Sequence, residues 1–163
     1  MQNILSPKFC LSLVIAFCAL FSFTINAKEN SILTFEINNE SYQYTLDDLT
    51  QMSDTEFKTE TPWTAGKTDF SGVSLKKLAQ QHNISSGTFK VIALNNYWSE
   101  IPYSDIDNYD PIIAIKKNGK FMPIRDKGPL WIVYPLSQKG EVNNELLHSR
   151  MVWQTSKIEW TAN

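Results

Sequence analysis

Few residues in this chain have side chains suited to chemistry, and most of those are aromatic. All five tryptophans lie beyond residue 27: Trp63, Trp98, Trp131, Trp153 and Trp160. Trp131, inside Leu130-Trp131-Ile132-Val133-Tyr134, is expected in the core. Trp63 sits in Thr61-Pro62-Trp63-Thr64-Ala65-Gly66, a loop of proline, glycine and hydroxyl residues. A tryptophan there is either a stacking face for a flat ligand or a plug that folds back onto the core. Arg125-Asp126-Lys127 places charges of both signs ahead of Gly128-Pro129. That segment reads as a solvated turn or as a polar rim over a pocket. In His148-Ser149-Arg150-Met151-Val152-Trp153, an arginine lies close to a tryptophan. Arg150 could hold an anionic group or stack on a ring, or it could be an ordinary edge-strand residue.

Familiar catalytic constellations are scarce. The two histidines, His82 and His148, have no carboxylate or second histidine at ligand spacing, so each is expected at the surface. No serine sits in a nucleophile elbow. Asp47-Asp48 is most simply a solvated helix start. Both cysteines, Cys10 and Cys18, lie near the N-terminus.

That N-terminus reads as a cleavable secretory signal. Lys8 supplies a positive charge, residues 9–23 form an apolar run, and Ala27 ends the segment before Lys28-Glu29-Asn30. The run is shorter than the ~20 apolar residues needed to span a bilayer as a helix. Cleavage after Ala27 would leave one domain, residues 28–163, in the periplasm. That domain would contain no cysteine, and so no disulfide and no thiolate ligand or nucleophile. The whole chain has a net charge of −2, and the signal takes away one lysine and no acid. A weakly acidic domain is not suited to nucleic acid, which needs clustered cations.

The elements that must position these side chains are mainly strands. Leu33, Phe35 and Ile37 alternate with polar residues, and Asn38-Asn39 can turn the chain into residues 42–44. Thr45 and Asp48 are spaced for a capping box. Residues 56–61 read as extended, and Ser74 can cap a helix over residues 75–82. Strands are expected over residues 88–94, 111–115 and 130–134, with a hairpin turn at Asn118-Gly119. Residues 105–108 can make one helical turn, and residues 152–160 one or two strands. The expected fold class is α+β, a mainly β, mixed-sheet, barrel-like domain with two or three short helices.

Taken in order, several segments resemble the oxidoreductase-type molybdopterin-binding domains of the sulfite oxidase fold. They are Thr61-Pro62-Trp63-Thr64, Phe70-Ser71-Gly72-Val73-Ser74-Leu75, Val91-Ile92-Ala93-Leu94-Asn95-Asn96-Tyr97, Arg125-Asp126-Lys127-Gly128-Pro129-Leu130-Trp131 and Arg150-Met151-Val152-Trp153. The resemblance covers roughly residues 56–160. The enzymes of that group hold molybdenum partly through a cysteine thiolate, which residues 28–163 lack. The chain is therefore more similar to cysteine-free periplasmic pterin-binding proteins, which work with membrane-bound enzymes of cyclic di-GMP turnover. This resemblance implies a reduced pterin as ligand, without molybdenum, and the periplasmic domain of a membrane-bound signalling protein as partner. It implies a non-catalytic role; the alternative is a molybdopterin-dependent oxidoreductase, or subunit of one, without the cysteine ligand. A flat, polar-edged ring needs aromatic faces and a few placed polar groups. Trp63, Tyr97 and Trp153 are the candidate faces, and Asp126 the candidate acceptor for the donor edge. Thr64, Asn95, Arg125, Lys127 and Arg150 are the remaining candidate contacts.

Overall fold

The computed structural model describes residues 30–138 and 144–162. The export signal expected over residues 1–27 lies outside them. Among the described residues, no helix is long and apolar enough to cross a membrane.

Strand β1 (Leu33–Ile37) buries Leu33, Phe35 and Ile37, as its alternation dictates. Asn38 and Asn39 take φ of 48° and 68°, the left-handed pair that a two-residue hairpin turn requires. The turn leads into β2 (Glu40–Tyr44). Helix α1 (Leu46–Met52) starts at Thr45, whose Oγ1 accepts from Asp48 N at 3.1 Å while the Asp48 carboxylate accepts from Thr45 N at 2.8 Å. Two orphan amides are thus satisfied reciprocally. Next come β3 (Thr55–Thr59), β4 (Thr68–Ser74) and α2 (Leu75–Gln81), the last capped by the Ser74 hydroxyl. Then follow β5 (Thr88–Ala93), β6 (Trp98–Pro102), α3 (Tyr103–Tyr109), β7 (Ile112–Lys117) and β8 (Lys120–Phe121). A 3₁₀ turn (Ile124–Asp126) precedes β9 (Trp131–Val133), α4 (Glu145–Arg150) and β10 (Thr155–Thr161).

The strands form two arrays, one mixed and one antiparallel. One has the order β2-β1-β10-β5-β6, with β1 and β10 parallel and the other neighbours antiparallel. The other has the order β3-β4-β7-β8, with β9 also paired to β7. One contiguous core joins them: Leu33, Phe35, Phe89, Val91 and Ile158 from the first array, and Phe70, Val73, Ile113 and Trp131 from the second. The domain is α+β and mainly β, as expected. The described residues hold four short α-helices rather than two or three.

Three elements depart from the sequence expectation. β4 was not anticipated because Asp69, Ser71 and Gly72 interrupt its apolar pattern. Gly72 is required there, since a Cβ would overlap the carbonyl oxygen of Ile113 on β7. Gly72→Ala is expected to cost about 1–3 kcal/mol by forcing the pair apart, read as a lower urea midpoint. β6 carries no apolar alternation in its sequence, since only Ile101 of its residues is buried. α4 was missed because it buries only Leu147, so its sequence carries no helical apolar stripe; Asn144 caps it by accepting from Leu147 N at 3.0 Å.

His82 ends α2 and is half-buried rather than at the surface. It shares a 2.7 Å hydrogen bond with the Tyr44 hydroxyl and lies edge-on to Phe35 and Tyr42. Burial holds its pKa below the ordinary 6.5. The native state therefore binds fewer protons here than the unfolded chain. This contribution to stability is complete above pH 6.5 and is lost as pH falls through and below that value. A drop in melting temperature between pH 7.5 and 5.5 is expected, and His82→Gln should flatten that part of the profile; an identical drop in the variant would assign the effect to other groups.

Candidate functional site: an aromatic-walled pocket

The Trp63 loop is fixed by its own hydroxyls. Thr61 N donates to Thr64 Oγ1 at 2.9 Å, and Trp63 N donates to Thr61 Oγ1 at 3.2 Å. The indole so placed is half-buried. It lies edge-on to Trp153 at 5.1 Å, to His148 at 6.0 Å and to Trp131 at 6.1 Å between ring centroids. Edge-to-face pairs of this kind are each worth about 0.5–1.5 kcal/mol beyond their burial. One side of Trp63 packs on the core tryptophan and the other remains a wall.

Trp131 is fully buried and donates its indole N–H to Met151 O at 3.1 Å. A bridge pairs Trp131 with Trp153. The Lys127 ammonium lies 5.6 Å from the Trp131 ring and 5.5 Å from the Trp153 ring, within cation–π range of both. Lys127 adopts φ 64°, and its carbonyl accepts from Gln154 N at 3.0 Å, which ties this turn to the start of β10.

These groups frame a pocket of about 280 Å³. Trp63 and Trp153 form one side. Ala93, Asn95 and Tyr97, at the β5–β6 turn, form another. The end of α4 and the residues after it close the pocket with His148, Ser149, Met151 and Val152. The Tyr97 hydroxyl donates to Ser149 O at 3.0 Å, so turn and helix are linked across the lining. Asn95 Oδ1 accepts from Tyr97 N at 3.1 Å, which sets the tyrosine's direction and leaves the Asn95 amide N–H₂ as a donor.

Trp63, Asn95, Tyr97 and Trp153 therefore meet in one pocket. The other candidate contacts lie outside its lining. Thr64 holds the Trp63 turn, and Lys127 packs behind the indoles. Asp126 is paired with Lys117 at 2.6 Å, which keeps its carboxyl below the usual pKa. Arg125 is exposed on the 3₁₀ turn. Arg150, at the end of α4, points to Asp105: Nη1 lies 2.7 Å from Oδ2, which also accepts from the Tyr134 hydroxyl at 2.9 Å. It is a core tether, neither stacked on Trp153 nor set on an edge strand. Sequence reading did not place Ala93, His148, Ser149, Met151 and Val152 in the site. His148 was expected at the surface, but it faces Trp63. The signal that could have found His148 and Ser149 is the Asn144 cap, which starts the helix that carries them.

A molybdopterin would bring a phosphate and a metal dithiolene. The lining has no lysine or arginine, and it has no thiolate, for either group to meet. Among the described residues, no cluster of three or more His, Cys, Asp or Glu could hold a metal ion. The lining suits the flat head of such a molecule better than its tail or its metal.

No family model matches the chain, and no curated protein matches it. Solved structures do. The fold is shared with the sulfane dehydrogenase SoxCD of Paracoccus pantotrophus. The TM-score is 0.57 at 12% identity, over 80% of this chain and 38% of that one. The chain thus spans well under half the length of that enzyme. At this identity the likeness concerns the fold alone, and it agrees with the sulfite oxidase-like fold expected from the ordered segments.

Proposed function

We propose that the domain is a non-catalytic, exported pterin-binding protein of the periplasm. In this reading it relays ligand state to the periplasmic domain of a membrane-bound cyclic di-GMP signalling enzyme. The observation that carries the ligand assignment is the aromatic-walled pocket at about 280 Å³. That is at the small end for ligand sites, suited to a fused bicyclic ring rather than to a whole nucleotide-sized cofactor. Trp63, Trp153 and Tyr97 supply faces. The Asn95 amide, the Tyr97 and Ser149 oxygens and the His148 ring supply polar partners for the ring edge. The role of Asp126 as acceptor passes in this reading to backbone carbonyls of the lining, while the Asn95 N–H₂ serves an acceptor on the ring.

The partner assignment rests on the resemblance and on the apolar groups beside the pocket. Leu94 and Tyr97 on the β5–β6 turn and Trp98 at the start of β6 are 53%, 49% and 53% exposed, and Leu146 on α4 is 59% exposed. Large apolar groups concentrated on two elements that line one site suit a protein surface that covers it. A partner seated there would sense whether the pocket is filled.

The test is to purify the protein from its native periplasm and identify bound small molecules by fluorescence and mass spectrometry, then titrate the emptied protein with reduced pterins. A bound or rebinding pterin is expected. Absence of both would end this reading. The second reading, a molybdopterin oxidoreductase or subunit, is favoured by the fold shared with a dehydrogenase. Stoichiometric molybdenum in the purified protein would select it.

A further inference from the structure

One surface away from the pocket lining carries a charge opposite to that of the chain as a whole. Residues 116–127 contain Lys116, Lys117, Lys120, Arg125 and Lys127 against the single acid Asp126, in a chain of net charge −2. They form the β7–β8 hairpin and the 3₁₀ turn that follows it. Asn118 (φ 49°) and Gly119 (φ 74°) shape the hairpin tip. Lys117 is neutralised by Asp126, and Lys127 is held over the indoles. Lys116, Lys120 and Arg125 remain, with no carboxylate of a described residue within salt-bridge distance.

Between these cations stand two large apolar side chains that the fold leaves outside. Phe121 is 49% exposed and Ile124 is 58% exposed. The Lys116 ammonium lies 4.9 Å from the centre of the Phe121 ring, so charge and aromatic face form one unit. Two acids approach from neighbouring elements. Asp69 on β4 is engaged by Lys58 at 3.5 Å, and Asp47 on α1 lies in the shallow depression that Phe121 borders. Neither meets the three cations. Exposed Phe and Ile flanked by Lys and Arg are the combination that partitions into the headgroup region of a bilayer. The apolar groups enter the interface and the cations meet anionic lipid. An acidic protein surface would explain the cations but not the pair of protruding apolar residues between them.

We propose that the β7–β8 hairpin and the 3₁₀ turn are a docking surface for an anionic bilayer. The surface is physically tied to the pocket, because Gln154 Nε2 donates to Ile124 O at 2.8 Å and Gln154 N to Lys127 O. Docking would hold the pocket at a fixed orientation to the membrane.

The experiment is co-sedimentation of the purified domain, residues 28–163, with vesicles of phosphatidylcholine alone or mixed with phosphatidylglycerol, together with vesicle binding by the full chain. Partition into the anionic vesicles only is expected, and it should weaken severalfold as salt is raised toward 1 M. The triple variant Lys116→Gln, Lys120→Gln, Arg125→Gln should bind on the order of a hundredfold more weakly, from about 1 kcal/mol per cation. Phe121→Ser with Ile124→Ser should also weaken binding while leaving the net charge unchanged. All five positions are exposed or half-exposed, and an unchanged melting temperature would show that the fold is retained. Equal binding to both vesicle types, no binding to either, or anionic binding indifferent to both variants would overturn the proposal. So would loss of an acidic protein partner in the triple variant with no vesicle binding by the wild type. Pterin binding by these variants is expected to be unchanged, so this test and that of the ligand reading fail separately.

Discussion

Asp105→Ala is expected to lower the stability of the domain by about 3–5 kcal/mol. Asp105 is buried on α3, and its Oδ2 takes both the Arg150 guanidinium and the Tyr134 hydroxyl. Removing it leaves a cation enclosed without a partner, which costs far more than the pair contributes net. Burial, then the Asp105 charge, holds the Tyr134 phenol well above its usual pKa, so it stays a neutral donor at every ordinary pH. The loss would remove a large share of the ~5–15 kcal/mol that keeps such a domain folded. Urea midpoints check it. Replacing the pair together, Asp105→Leu with Arg150→Met and Tyr134→Phe, should recover most of the loss, because neither an unpaired charge nor an unpartnered hydroxyl remains. A cost below about 1 kcal/mol for Asp105→Ala would show that Arg150 is not held as described. The same variants separate two roles for Arg150. As a tether it affects the pocket by positioning α4, whereas a ligand contact would change affinity with no change in stability.

Trp63→Ala is expected to raise the dissociation constant for a reduced pterin by about 10–100-fold, the range for removing one aromatic stacking face, about 1–3 kcal/mol. The indole is also packed against Trp131, so the variant should lose some stability as well. Trp63→Phe keeps a face and should restore most of the affinity. Fluorescence titration of folded protein reads both. Unchanged affinity in Trp63→Ala would remove Trp63 from the site and, with it, the main reason to place a flat ligand there.

What could be read in the residues beforehand followed from local rules. The alternation of Leu33, Phe35 and Ile37, the Asn38-Asn39 turn, the Thr45–Asp48 box and the core placement of Trp131 each depend on neighbours in sequence. The site was only partly legible because it is assembled from three distant segments. Aromatic Trp63, Tyr97 and Trp153 announced themselves by type. Met151 and Val152 did not, because nothing local distinguishes an apolar residue that lines a pocket from one that fills a core. Charged residues misled for a related reason. Arg150, Asp126 and Lys127 look available in sequence, and each has a partner that only the fold supplies: Asp105, Lys117 and the paired indoles.

The position of β10 bears on how the molecule comes into being. The last strand lies between β1 and β5, in the interior of its array and parallel to the first. Until residues around Ile158 have been synthesised, β1 and β5 have no shared neighbour and Phe35 and Phe89 cannot be enclosed together. A ribosome delivers these residues after β1 to β9, so the growing chain has no complete core before β10 is made. Contacts so far apart in sequence also form slowly. A polypeptide that stays open until this strand is made remains threadable through a narrow channel up to that point.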